Sequence, residues 1–322
     1  MTTTTTPSRA AGLAGVAVPV LRKYGVVIAL VILLLVAAFW TPTFFSGTTL
    51  RNTARQASFI GIVTIGQFLV LMVRGIDLSI PAVIGFTAVL VAERGPGTAW
   101  GVTIAIALAV AVGSVNAFLV VRRKVPAFVA TFGMFVALDG LRLLYTKGSA
   151  SGSVSEGLLS VGRGSFLGIT YSTWTWIVLL VVVSLFLYRT PHGRRMVMVG
   201  ANPAMASLSG IRTGRYIFAA FAVSSLLAVV TAVFIAGSSG YVDRFIGIGT
   251  DLDSITAALI GGARFGGGEG SLLGSAVGAV LLASLLTVIV LLGWSPEVQL
   301  IAKGVVLIAA IALQSATRRP VN

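Results

Sequence analysis

The chain is 57% hydrophobic and 10% charged, so the polar side chains inside its apolar runs are the ones that could do chemistry. They are Gln67, Asn116, Thr131, Asp139, Gln299 and Lys303, with Asp77, Ser79 and Asp253 at the ends of such runs. A polar group buried without a partner is destabilising, and a buried charge more so. Amides and hydroxyls both donate and accept hydrogen bonds, and carboxylates accept. Gln67, Asp77, Ser79, Asn116, Thr131, Asp253 and Gln299 therefore form a set able to meet the polar groups of a small solute on a path through the apolar layer. The same groups are able to tie one helix to another, and both readings stay open. Asp139 precedes Arg142 by one helical turn, a spacing that favours an ion pair over a proton relay.

Composition excludes other chemistries. There are no cysteines and one histidine, His192, which removes disulfides, thiolate ligands, cysteine nucleophiles and a zinc cluster. No G-x-x-x-x-G-K-[S/T] loop occurs, so the chain lacks that phosphate cradle. An ATP-driven process would need its ATPase on another polypeptide. The formal net charge of +14 would suggest nucleic acid in a soluble protein. Here it reads as basic loops on the cytoplasmic side of a membrane, with no nucleic-acid partner.

The polar set must be positioned by membrane helices. A crossing needs about 20 apolar residues, and ten segments are candidates: 24–40, 55–73, 79–92, 100–121, 126–145, 173–188, 215–236, 252–262, 271–292 and 296–314. The third and eighth are too short to cross as straight helices, and each adjoins a glycine-containing break, at 74–77 and 261–270. The fold class is all-α: a polytopic membrane protein of about ten transmembrane segments, including short or broken helices. The first apolar run is followed by no small-residue cleavage site and reads as a retained helix, not a signal peptide. With the N-terminus inside, Arg9, Arg22, Lys23, Arg122, Arg123, Lys124, Arg189, Arg194, Arg195, Arg212, Arg215, Arg318 and Arg319 fall on one side with no acidic residue among them, thirteen of the twenty-three basic residues against seven outside. Both termini are therefore expected in the cytoplasm. Residues 1–21 are expected to be a disordered cytoplasmic tail, 22–316 a single transmembrane domain and 317–322 a cytoplasmic tail. Within the domain, 147–172 is expected as an outer loop and 189–214 as a basic inner loop.

The breaks carry specific expectations. In R-G-I-D-L-S-I-P, residues 74–81, Ser79 should cap the third helix ahead of Pro81. Asp77 should face the positive end of that helix, and Arg74 should pair with Asp77. Asp253 and Ser254 should serve the eighth segment in the same way. G-I-D-L-S at 75–79 is weakly echoed by G-G-E-G-S at 267–271. Paired glycine-interrupted segments in two halves of a transporter tend to lie near the pathway; chance in a glycine-rich chain is the competing explanation. Gly270, Gly274 and Gly278 recur every four residues and so line one helix face, which suits close helix packing rather than solute contact.

The inner loop holds H-G-R-R-M-V-M-V-G-A-N-P-A-M-A-S-L-S-G-I-R-T-G-R, residues 192–215. Asn202 can cap a helix that begins at Pro203 and stops at Gly210. A helix of about two turns is unstable alone and must pack on something. It is either an interfacial helix held to anionic membrane lipid by its flanking arginines or a docking helix for a soluble partner.

This loop resembles the coupling segment of ATP-binding-cassette importer permeases of the ribose/galactose type, whose pattern G-x-N-x-x-A-A-x-x-x-G-I is met by Gly200, Asn202, Ala206, Gly210 and Ile211, with Met205 at the first alanine. The resemblance extends to G-I-D-L-S at 75–79, where Arg74 replaces a frequent glycine or other small residue. It includes the run 113–135 with Ala117 where glycine is usual, the segment 252–279 with Asp253 and its glycines, and Lys303 with Gly304. It implies a permease without its own ATPase site or bound cofactor, ATP and Mg being held by partner ATPase subunits. Those would dock at Gly200, Asn202, Pro203, Ala206, Leu208, Gly210 and Ile211. It further implies an extracytoplasmic sugar-binding protein, a second permease subunit (an identical copy or a paralogue), the inner membrane of a bacterium, and import of a monosaccharide or similar small polar solute. An ion-coupled secondary carrier is the alternative. It would want an acid deep in a span, and Asp77 and Glu269 both lie at helix entries.

Overall fold

The computed structural model describes residues 9–92, 97–149 and 152–316. Among them are thirteen α-helices: α1 (Arg9–Trp40), α2 (Gly47–Met72), α3 (Ile80–Val91), α4 (Thr98–Val121), α5 (Ala127–Thr146), α6 (Glu156–Arg163), α7 (Tyr171–Arg189), α8 (Pro191–Ala201), α9 (Pro203–Leu208), α10 (Thr213–Ser239), α11 (Thr250–Ile260), α12 (Leu272–Leu291) and α13 (Pro296–Ala316). Two antiparallel pairs of two-residue strands join Gly152–Ser153 to Tyr241–Val242 and Ser165–Phe166 to Ile169–Thr170. Residues 1–8 and 317–322, the outer parts of the expected tails, lie outside the described residues.

By length and composition, α2, α4, α5, α7, α10 and α12 are able to cross a membrane, so the protein is a multi-pass, all-α membrane protein. At 1.5 Å per residue, the 12 residues of α3 and 11 of α11 reach only about 18 Å, roughly half a hydrocarbon core. α1 begins at Arg9, inside the stretch 1–21 expected to be a disordered tail. Four of the nine residues 10–18 are alanine, the residue most favourable to a helix.

α2 is the centre of the bundle. Of its apolar window 83% is buried in protein, against 22% for α5 and α7. Those two helices turn Phe128, Val129, Phe132, Val136, Val178, Val181, Val182 and Leu185 outward, an apolar surface suited to lipid. Small residues let the central helices approach closely. A Cβ on Gly66 of α2 would stand 2.8 Å from Cα of Ser224 on α10, and one on Gly113 of α4 would stand 2.7 Å from Cα of Ala222.

The bundle has two distinct ends. α8 and α9 lead into the N-terminus of α10 at one end. At the other, α6 packs across the C-terminus of α10, with Gly162 and Gly237 pressed backbone to backbone. There the Arg163 guanidinium donates to the carbonyls of Ser238 (3.1 Å) and Ser239 (3.2 Å). The stretch 147–172, expected as an outer loop, thus contains a docked helix whose N-terminus is capped by Ser155.

Candidate functional site

The chain breaks after α2. Val73 leaves the helix, Arg74 takes a left-handed φ of +67°, and 75–79 runs non-helically to α3. A left-handed backbone suits glycine better than a branched side chain. Asp77 fills the hollow this opens. Its Oδ1 accepts from the Ser79 amide (2.9 Å) and the Ser79 hydroxyl, and its Oδ2 accepts from the Ser224 hydroxyl of α10 (2.8 Å). Asn116 of α4 donates to Ser79 Oγ at 3.0 Å, and Thr131 of α5 donates to the Ile76 carbonyl at 3.0 Å. All five side chains are buried. Charge-assisted bonds of this kind are among the stronger ones, and together they lock the break to α4, α5 and α10.

Two expectations are corrected here. Ser79 makes no side-chain cap on α3, because its hydroxyl is already committed to Asp77 and Asn116. Arg74 does not pair with Asp77. Its Nε and Nη2 donate instead to the carbonyls of Gly200 and Ala201 at the end of α8. Asp139 and Arg142 do form an ion pair, at 2.6 Å.

The remaining pathway candidates lie elsewhere. Asp253 does not cap α11, whose N-cap is Gly249 with no side-chain bond. Its carboxylate meets Nζ of Lys303 on α13 at 2.8 Å, since the half-helix sets it beside a cation that would otherwise be buried alone. Ser254 returns its hydroxyl to the Asp251 carbonyl at 2.8 Å. Gln299 sits half-buried near the start of α13. Gln67, in the middle of α2, is 0% exposed, and neither amide atom has a hydrogen-bond partner among the described residues. The structure thus brings Asp77, Ser79, Asn116 and Thr131 together and leaves Gln67, Asp253 and Gln299 apart. Ser224 belongs to the network and was not singled out from sequence.

The inner loop folds as two helices. Thr190 caps α8 by accepting from the Gly193 amide at 3.1 Å, with Pro191 at the first position. Asn202 caps α9 by accepting from the amides of Ala204 and Met205, both at 3.1 Å, with Pro203 first. Gly210 stops α9 with φ +76°, and the Ile211 amide returns to the Ala206 carbonyl at 3.0 Å. Ala206 is buried, whereas Met198, Met205 and Leu208 point outward, Leu208 at 83% exposure. Arg194 and Arg195 of α8, and Arg212 and Arg215 after α9, are exposed as well. Beside α9 a cavity of about 750 Å³ is lined by Phe118 and Val121 of α4, by Arg122 just after it, and by Ser207, Ile211 and Arg215.

Gly274 and Gly278 face α11, where a Cβ would collide with the carbonyls of Gly261 and Ala257; they serve close packing. Gly270 is not on that stripe. α12 begins at Leu272, capped by Ser271, which accepts from the Gly274 amide at 3.0 Å. Gly270 precedes it with φ +155°, against the Phe68 ring and Ala263. The echo of 75–79 at 267–271 differs in structure, since Glu269 pairs with Arg264.

Residues 49–311 match the family described as branched-chain amino acid transport system / permease component. The ribose import permease protein of Bacillus subtilis is 29% identical over 299 residues, 91% of this chain and 93% of that protein. The ribose import permease protein of Escherichia coli K12 is 30% identical over 298 residues, 89% and 92% of the two chains. The autoinducer 2 import system permease protein of Klebsiella pneumoniae is 30% identical over 301 residues, 92% and 88%. No solved structure matches the chain. With its family match running from α2 into α13, and with relatives of this kind aligned over nearly their whole length, the chain belongs to the ribose-type permeases of ATP-binding-cassette importers.

Proposed function

We propose that this permease carries a monosaccharide or similar small polar solute into the cytoplasm of a bacterium, across the inner membrane, with both of its termini in the cytoplasm. Separate ATPase subunits supply the energy, hold the ATP and Mg, and dock on α8 and α9: Leu208 is the exposed contact, Asn202, Pro203, Gly210 and Ile211 shape α9, and Gly200 and Ala206 are buried and seat the helices on their own chain. A second permease subunit completes the pathway, and an extracytoplasmic binding protein delivers the solute. The observation that carries this reading is the exposure of Met198, Met205 and Leu208 on two capped helices that carry or adjoin the exposed Arg194, Arg195, Arg212 and Arg215. An apolar knob on a rigid, charged surface is what a protein partner with a matching socket buries. The names of the relatives, which import ribose and autoinducer 2, support the solute class.

Within the pathway, Asp77 and Ser79 bond one another, Thr131 holds the Ile76 carbonyl, and Asn116 joins them through its Nδ2 while its Oδ1 has no partner among the described residues; these four serve architecture first. Gln67, whose buried amide lacks a partner, is the side chain we assign to solute. ATP binding and hydrolysis switch the open side through different affinities of the two states for nucleotide. Reconstitution tests the reading. Liposomes holding the chain, its ATPase and its binding protein should take up labelled monosaccharide only with ATP and Mg. Uptake by the chain alone, driven by a proton or sodium gradient, would establish the ion-coupled carrier instead.

A further inference from the structure

Three chain segments far apart in sequence meet beneath α9: the end of α2, the end of α8 and the glycine loop between α11 and α12. The Gly268 amide donates to the Met72 carbonyl at 2.9 Å. Gly200 lies so close to the Met72 carbonyl and the Gly268 amide that no Cβ would fit, and Gly268 lies equally close to Ala201. Arg74 closes the knot. Its backbone is fixed by its amide to Leu71 (2.9 Å) and by that of Gly75 to Val70 (2.8 Å). Its guanidinium holds the Gly200 and Ala201 carbonyls, the negative end of α8, where a cation is favoured. Gly267 packs on its side chain.

We infer that Arg74 is the positioning residue that makes α8 and α9 pull on the two broken helices as well as push on them. The inference rests on the ATPase docking at α8 and α9. Backbone packed against backbone at Gly200, Met72 and Gly268 resists compression, so movement of α8 toward the bundle displaces the break and the glycine loop without any tether. Movement away needs a tether, and the forked guanidinium, bonded to two successive carbonyls, is the side chain that supplies it. On the far side of the joint, Asp77 stands three residues from Arg74 and is bonded to Ser224 of α10 and, through Ser79, to Asn116 of α4. The glycine loop continues directly from α11. One stroke of the docking helices is thereby delivered to both half-helices.

The absence of cysteine allows a readout independent of the solute. In Ile76→Cys, a reporter sits on the break. The tagged protein is purified with the ATPase that stays bound to it. Labelling by a water-soluble maleimide is then compared with and without ATP–Mg, and ATP hydrolysis is measured on the same samples. The nucleotide-dependent change should fall about ten-fold or more in Arg74→Ala, which loses both charge-assisted hydrogen bonds, while ATPase binding and hydrolysis persist. Arg74→Lys keeps the charge without the fork and should restore part of the change; it carries the same test if the alanine variant does not reach the membrane. An undiminished nucleotide response in both variants overturns the inference, as does a reporter that ignores nucleotide in the parent. Failure of the parent chain to retain an ATPase overturns the docking reading instead.

Discussion

Lys303 of α13 and Asp253 of α11 form an ion pair at 2.8 Å, with side chains only 20% and 10% exposed. α11 is too short to cross, so its first turn lies against protein, and α13 supplies the countercharge. Removing one partner of a buried pair leaves the other uncompensated, at a cost of about 3 kcal/mol. Lys303→Met and Asp253→Leu should each lower the melting temperature of the detergent-purified protein sharply. The double variant should recover most of the loss, because two apolar side chains leave no orphan charge. Additive losses in the double variant would show the pair to be energetically unimportant.

The docking helices separate stability from assembly. Leu208 touches little of its own chain, so Leu208→Ser should change stability by less than about 0.5 kcal/mol. It should weaken ATPase binding about ten-fold or more, as loss of a central apolar anchor does. Asn202→Ala should act the other way round, costing about 1 kcal/mol through α9 itself. Thermal unfolding and co-purification of the ATPase, measured on the same preparations, distinguish the two.

Glycines at two sites fail for different reasons. At Gly210 a Cβ would meet nothing within 4 Å, so Gly210→Val suffers only from its left-handed backbone, about 1–2 kcal/mol, and Gly210→Asn should be nearly silent. At Gly278 a Cβ would run into the Ala257 carbonyl, so Gly278→Leu must part α11 from α12, at about 1–3 kcal/mol. Asparagine should rescue the first site and not the second.

Local signals were legible in the sequence, and distant ones were not. The cap of α9, its stop at Gly210 and the Asp139–Arg142 pair each depend on residues within about two turns, so spacing reveals them. The Thr190–Pro191 start of α8 is the same kind of signal as Asn202–Pro203 and was hidden only by the glycine and arginines after it. α6 lies in a Gly- and Ser-rich stretch that resembles a loop, and its docking on Gly237 is a tertiary fact. Ser224 escaped because a serine inside a helix ordinarily bonds its own preceding turn. Arg74 was assigned to the nearby Asp77, whereas its partners lie 126 and 127 residues away. Charge proximity in sequence pointed to the wrong acceptor because Asp77 was already saturated by hydroxyl and amide donors.

Gln67 offers the sharpest division between fold and function. A buried amide without partners destabilises the folded state by about 1–3 kcal/mol. Leucine is close to glutamine in size and brings no polar atoms. Gln67→Leu should therefore match or exceed the parent in thermal stability. If the amide exists for the solute, the same variant should lose uptake in reconstituted liposomes, with KM rising before the maximal rate falls, because the lost interaction is made on binding. A structural amide would give the reverse pattern, a fall in stability with KM unchanged. Gln67→Asn, which keeps the amide but withdraws it by one methylene, should lie between the parent and leucine in KM.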